Sequence, residues 1–209
     1  MAWKPIVAKS VLAQDFRAYV RSLSWSDWKP EFIVLHNTAS PSLAQRPDGF
    51  TLQSIRNLEA YYRDDKGWPS GPHLFIDDKQ IWVFTPLTTP GTHSPSWNRV
   101  AIGIEMLGNY DSESFTTGRG LAVRYNASVA IGELSKALGF KADAYRFHMA
   151  DPKTTHDCPG KLARAQRVDF TKEVGMVMSG STPPTIQMGS DIPGSEWKKF
   201  TAAISKVKG

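Results

Sequence analysis

The sequence predicts a mixed α/β fold, a single domain whose central, mostly mixed β-sheet is flanked by helices. Three features carry this expectation: a continuous apolar, partly β-branched run at Phe32–Leu35, a hairpin pattern between His73 and Phe84, and a long helical periodicity ending at Gly139. Strand and helix patterns alternate along the chain, and such interspersion builds sheets covered by helices rather than an all-α or all-β fold.

In chain order, the first 30 residues show a helical pattern at Val11, Leu12, Phe16, Tyr19, Val20 and Leu23, then Trp25 and Trp28 before Pro30. Phe32–Leu35 reads as a buried strand that ends at His36. Asn37 to Asp48, with Pro41 and Pro47, is loop by composition, and Thr51 caps a helix with apolar positions Leu52, Ile55, Leu58 and Tyr62. Gly67 to Pro72 stops it. His73–Ile76, the turn Asp77–Lys79 and Gln80–Phe84 form the hairpin, and a Pro, Thr and Ser-rich loop runs from Thr85 to Asn98. Val100–Leu107 is a second buried strand with one misfit, Glu105, followed by a helix through Leu121, Tyr125, Val129, Leu134 and Leu138. Tyr145 to Gly160 is polar and turn-rich, and Lys161 to Met178 reads as a last helix.

The expected organisation is a helical extension over 1–30 packed on the core, a main domain over 31–178, a linker over 179–194 and a basic amphipathic helix over 195–209. In that last helix Trp197, Phe200, Ile204 and Val207 share a face, with Lys198, Lys199, Lys206 and Lys208 around it. It either docks back on the domain or contacts a membrane surface.

With 209 residues, 41% hydrophobic and 22% charged, the composition is that of an ordinary globular domain. No stretch approaches the roughly 18 uninterrupted apolar residues of a membrane helix, and Lys9 breaks the early apolar run Ile6–Ala8, which leaves no core of signal-peptide length. The single cysteine, Cys158, excludes an internal disulfide and leaves a thiol for chemistry. The net charge of +5 favours a polyanionic partner without choosing one. No helix-turn-helix, finger or RNP-like spacing supports specific nucleic-acid binding.

All five histidines fall at strand ends or in loops. His36 at a strand end, with His148 and Cys158 in one later loop, supplies three ligands of the kind zinc prefers and leaves a fourth position open. A structural zinc site would instead need four protein ligands, commonly with close Cys-x-x-Cys pairs.

The ordered set His36-Asn37-Thr38-Ala39-Ser40, His73-Leu74-Phe75-Ile76, Val100-Ala101-Ile102-Gly103-Ile104-Glu105, His148 and Thr155-His156-Asp157-Cys158-Pro159-Gly160 resembles the zinc-dependent N-acetylmuramoyl-L-alanine amidases of the type-2 amidase and peptidoglycan recognition protein superfamily. The resemblance runs from about Phe32 to Phe170, and His-Asp-Cys-Pro-Gly is its most specific part. It implies one catalytic zinc ion at the strand ends, held by His36, His148 and Cys158. It places the catalytic carboxylate on Glu105 and a second polar catalytic group on His156, where many members have Lys. Pro72 precedes the hairpin histidine, where some phage members have a functional Tyr.

The implied chemistry is metal-assisted hydrolysis of the amide between N-acetylmuramic acid and L-alanine in peptidoglycan, with the pKa of bound water lowered from about 15.7 towards 7. Glu105, on an apolar strand, is expected to have a raised pKa and to shuttle the proton, unless an arginine such as Arg99 or Arg146 pairs with it. His156 is expected to stabilise the oxyanion. Asn37, Trp68, His93 and Trp97 are candidates for contacting glycan or stem peptide, His73 reads as structural, and Trp25, Trp28 and Trp82 as core. The resemblance further implies an endolysin-like, monomeric enzyme that accumulates in the host cytoplasm without a signal peptide and reaches the wall after release. A cytosolic muropeptide-recycling amidase and a non-catalytic peptidoglycan-binding module are the alternatives.

Overall fold

Parallel pairing at the middle of the sheet determines where the chemistry sits. The structure is a computed structural model that describes residues 2–183. The predicted helix over 195–209 and most of the predicted linker lie outside the described residues. The elements are β1 (Lys9–Val11), α1 (Ala13–Arg21), β2 (Phe32–Asn37), α2 (Leu52–Ala60), β3 (Leu74–Ile76), β4 (Ile81–Val83), β5 (Ala101–Met106), α3 (Gly118–Leu138), β6 (Tyr145–Phe147), α4 (Lys161–Ala165) and α5 (Arg167–Ser179). The strands form one mixed sheet in the order β1-β4-β3-β5-β2-β6. β3, β5, β2 and β6 run parallel, and β4 pairs antiparallel with both β3 and β1. This is the predicted mixed α/β single domain.

Alternation along the central strands separates two faces. Ile33 and Leu35 of β2, with Ile102, Ile104 and Met106 of β5, enter the main core together with Val123, Ala127 and Ile131 of α3. On the other face Phe32, Val34 and Ala101 form a small apolar cluster with Trp97 and Val100 against it. Two residues beyond Val34 the alternation brings His36 to this second face. By the same count Gly103 and Glu105 follow Ala101.

Several elements are as predicted. Thr51 caps α2 with a reciprocal capping box to Ser54, β3 and β4 form the hairpin, and α3 stops at Gly139. Others differ. Lys9–Val11 forms an edge strand on β4, so the helix begins only at Ala13; Val11 is buried by sheet pairing rather than by the helical face. α2 ends at Ala60 and continues as one π turn, Tyr61–Asp65. Tyr145–Phe147, within a stretch that reads as turn, is a strand on β2 with Tyr145 and Phe147 buried and Arg146 exposed. The last helix is broken at Gln166 into α4 and α5.

Candidate metal centre

The register of β2, β5 and β6 assembles the site at the carboxyl ends of parallel strands, the edge where open α/β sheets commonly place their ligands. His36 pairs with Glu105, and Leu35 pairs with Phe147, so His148, the next residue, stands beside His36. The imidazoles of His36 and His148 are 4.3 Å apart between ring centroids. Cys158 returns to the same point through a loop tied down at both ends. Met149 N–H donates to the Cys158 carbonyl (3.0 Å), and Leu162 N–H to the Tyr110 carbonyl (2.8 Å). Gly160 has φ +94°, and a side chain there would meet the Tyr110 backbone at 2.6 Å, which explains a glycine two residues after the cysteine.

His36, His148 and Cys158 place one donor atom each within 4.8 Å of one another. The donor set fits zinc by its chemistry, two imidazoles and a thiol. It fits also by an orphan: His148 Nε2 is buried with no hydrogen-bond partner among the described residues, an arrangement that costs about 1–3 kcal/mol when nothing offsets it. The Cys158 sulfur accepts the Asn37 N–H at 3.3 Å, an interaction that favours thiolate character. Against it, burial and then the Glu105 carboxylate push the thiol pKa up. Burial, followed by the neighbouring His93, His148 and His156, holds His36 well below the usual histidine value, and burial followed by His156 lowers His148. Neutral imidazoles are the form that ligates metals.

Glu105 lies beside this cluster, its Oε1 3.8 Å from His36 Nδ1, with 16% of its side chain exposed. Burial pushes its pKa up to about 8. Among the described residues no arginine forms an ion pair with it: Arg146 covers the Phe32 ring at 3.9 Å and approaches Trp97 at 5.2 Å. His156 is exposed and stacks on His148 at 5.8 Å. Trp68, His93, His148 and His156 line one cavity with Pro95 and Lys153.

The remaining predicted residues take distinct places. Trp68 is half-buried and stacks on Tyr62 with centroids 5.1 Å apart. His93 is only 7% exposed and hydrogen-bonds His36, so most of its ring serves the interior. The amide nitrogen of Asn37 donates to the Gly108 carbonyl at 3.0 Å, and its backbone faces Cys158. Trp97 stands perpendicular to Phe32 in the small apolar cluster, with Arg146 5.2 Å from its ring centroid, and is not in the wall of the cavity. His73 is fully buried and structural, as expected. Trp82 is in the core, and Trp25 and Trp28 pack against it.

Two residues escaped the sequence reading. Asp151 accepts from Ser94 Oγ (2.5 Å), Ser96 N–H (3.0 Å) and Lys153 N–H (2.9 Å), tying the His93 loop to the His148 loop. Its only signal was an acid followed by Pro152 in a turn. Tyr62 reads as an apolar helix position, but burial first and Glu105 second hold its phenol well above the usual value.

Known proteins resemble the chain in both sequence and fold. Peptidoglycan-recognition protein SC2 of Drosophila simulans is 25% identical over 131 residues, covering 62% of this chain and 67% of that protein. Peptidoglycan-recognition protein SC1a of Drosophila melanogaster is 27% identical over 134 residues, with 62% and 67% covered. Among solved structures, a mutant endolysin from Bacillus subtilis superposes with TM-score 0.54 at 26% identity, covering 71% of this chain and 87% of that one. N-acetylmuramoyl-L-alanine amidase LysC from Clostridium intestinale URNW shares the fold with TM-score 0.54 at 20% identity, covering 74% and 94%. The family profile described as N-acetylmuramoyl-L-alanine amidase matches residues 26–161, a span that contains His36, Glu105, His148 and Cys158. By that match over more than half its length, the chain belongs to the N-acetylmuramoyl-L-alanine amidase family.

Proposed function

We propose that this protein hydrolyses the amide bond between N-acetylmuramic acid and L-alanine in bacterial peptidoglycan, with one zinc ion held by His36, His148 and Cys158, and that it serves as an endolysin. The observation that carries this reading is the convergence of those three donors within 4.8 Å, with Glu105 beside them. Family membership and the peptidoglycan-recognition and endolysin relatives support it.

Zinc bound at the three donors supplies Lewis acidity, which polarises an amide carbonyl and makes water acidic enough to attack near neutral pH. Glu105 accepts the proton of the attacking water on a carboxylate oxygen and passes it to the leaving L-alanine nitrogen. A carboxyl whose pKa is raised to about 8 suits that exchange, since a shuttle works best with a pKa near the working pH. His156, at the open side of the cavity and stacked on His148, donates to the oxyanion. Trp68 and its stacked partner Tyr62 offer an aromatic surface for sugar or stem peptide. Outside the described residues, the basic segment over 195–209 is proposed to contact the bacterial envelope.

The test is the appearance of free L-alanine amino termini from purified sacculi, with chelation and zinc re-addition. Chelator-sensitive cleavage restored by zinc is the expected result. Stoichiometric zinc and sacculus binding with no new amino termini would instead identify a binding module. Cleavage of soluble muropeptides but not of sacculi would identify a recycling enzyme. Removing the residues after Pro183 should spare activity on sacculi and reduce it on whole cells; equal loss on both would contradict the envelope role.

A further inference from the structure

Each of the five histidines lies against at least one other, in a single row from interior to surface. Ring centroids are 5.8 Å apart for His73 and His93, 5.3 Å for His93 and His36, 4.3 Å for His36 and His148, and 5.8 Å for His148 and His156. Two of the last three are proposed ligands. The inner two have hydrogen bonds that determine where their protons sit.

His93 Nε2 lies 3.1 Å from the Ala101 carbonyl oxygen, which can only accept, so this nitrogen carries a proton. Its other nitrogen, Nδ1, faces His36 Nε2 at 3.2 Å. Only one proton can lie between them. If it belonged to His93, that ring would be an imidazolium at 7% exposure, packed against His73 and His36. A charge enclosed so completely by ring faces is unfavourable, so the ring is neutral. His93 Nδ1 is then the acceptor and His36 Nε2 the donor. The lone pair of His36 is left on Nδ1, the nitrogen on the side of Glu105.

We infer that His93 is a positioning residue that sets the tautomer of His36: the chain Ala101 C=O, His93 and His36 Nε2–H leaves His36 Nδ1 free as the metal-binding atom. Ligating histidines commonly donate their second ring N–H to a fixed acceptor, and here a second imidazole provides it. The surroundings hold that acceptor in place. Asn98 Oδ1 accepts both the His93 and Ser94 N–H groups at 2.7 Å, and Asp151 holds the Ser94 hydroxyl. Under the ring, a Cβ on Gly103 would come within 2.3 Å of His93 Cγ, so only glycine lets the imidazole lie against β5. The Gly103 N–H is itself taken by His73 Nδ1 at 2.9 Å, while His73 Nε2–H donates to the Thr89 carbonyl at 2.9 Å.

The metal-binding part rests on the proposed function, whereas the tautomer is testable without metal. Nitrogen-15 NMR of the zinc-free full-length chain should show His36 and His93 both protonated at Nε2. Two variants separate the roles of the ring. In His93→Asn the amide oxygen replaces Nδ1 and keeps the acceptor for His36, whereas in His93→Gln the amide group reaches the position of Nε2 and the bond to Ala101. The Asn variant should keep the His36 tautomer and hold zinc within about threefold of wild type, and the Gln variant should lose about 10–100-fold in zinc affinity. A wild-type His36 protonated at Nδ1 would overturn the inference, as would tight zinc binding by the Gln variant with loss in the Asn variant. A wild-type chain with the expected tautomer but no zinc affinity would uphold the hydrogen-bond chain and contradict the proposed function.

Discussion

His36 and Glu105 occupy paired positions on adjacent parallel strands, with Nδ1 of the imidazole 3.8 Å from Oε1 of the carboxylate. One register therefore places a proposed metal ligand and a proposed proton shuttle side by side, and their roles separate by substitution. Glu105→Gln keeps the shape of the side chain but cannot take a proton. It should bind zinc as wild type does and lose about 10²–10⁴-fold in the rate of amide cleavage. Zinc content and the rate on sacculi measured on the same preparation check this, and a rate within threefold of wild type would contradict the assignment.

Acid should destabilise the fold through its buried histidines. Burial lowers His73 to about 3 and His93 to about 4, against about 6.5 in an unfolded chain. A depressed folded pKa favours the neutral form, so the stabilisation is complete above about 6.5 and is lost as pH falls towards 4. Each histidine contributes a slope of up to about 1.4 kcal/mol per pH unit over that window. Urea midpoints of the zinc-free chain between pH 7 and pH 5 should fall accordingly, with a smaller slope for His73→Gln. A midpoint independent of pH would contradict the buried neutral pair.

Asp151 joins the two loops that flank the cavity. Burial opposes its charge, but the bonds from Ser94, Ser96 and Lys153 outweigh this and hold the carboxyl down to about 2. A depressed carboxylate stabilises above its unfolded value of about 3.9 and loses that contribution as pH falls towards 2. Asp151→Asn should cost about 2 kcal/mol at neutral pH, read by urea denaturation, with the difference from wild type shrinking below about pH 4. An equal difference at pH 7 and pH 3 would contradict an electrostatic tether.

Gly103→Ala tests the close approach of His93 to β5. The added Cβ, 2.3 Å from His93 Cγ, must displace the ring, at a cost of about 1–3 kcal/mol typical of overpacked cores. Zinc affinity should fall together with stability. Unchanged values of both would show that the ring has room to move.

Much of this architecture can be read from the chain because the informative segments carry strong local signals. Phe32–Leu35 and Ala101–Ile104 are apolar runs that end in polar residues, so His36 and Glu105 stand out before any contact is known. Elements with short patterns do not stand out. β1 and β6 are as short as β3 and β4, but Lys9-Ser10-Val11 and Tyr145-Arg146-Phe147 are broken by polar residues where the hairpin strands are continuous apolar runs joined by a tight turn, and their pairing with β4 and β2 is a tertiary effect. Nor does local sequence show that His93 serves His36 across 57 positions, or that Asp151 reaches back to Ser94. Trp97 has the composition of a sugar platform but is drawn into packing by Phe32 and Arg146, both remote in sequence.

The most direct test of the metal centre compares wild type with Cys158→Ser for zinc content and for release of L-alanine amino termini from purified sacculi. The expected result is about one zinc per wild-type chain with cleavage that a chelator abolishes, and loss of both in the variant. Cleavage by Cys158→Ser at the wild-type rate, or wild-type cleavage untouched by chelation, would contradict a catalytic zinc held by His36, His148 and Cys158.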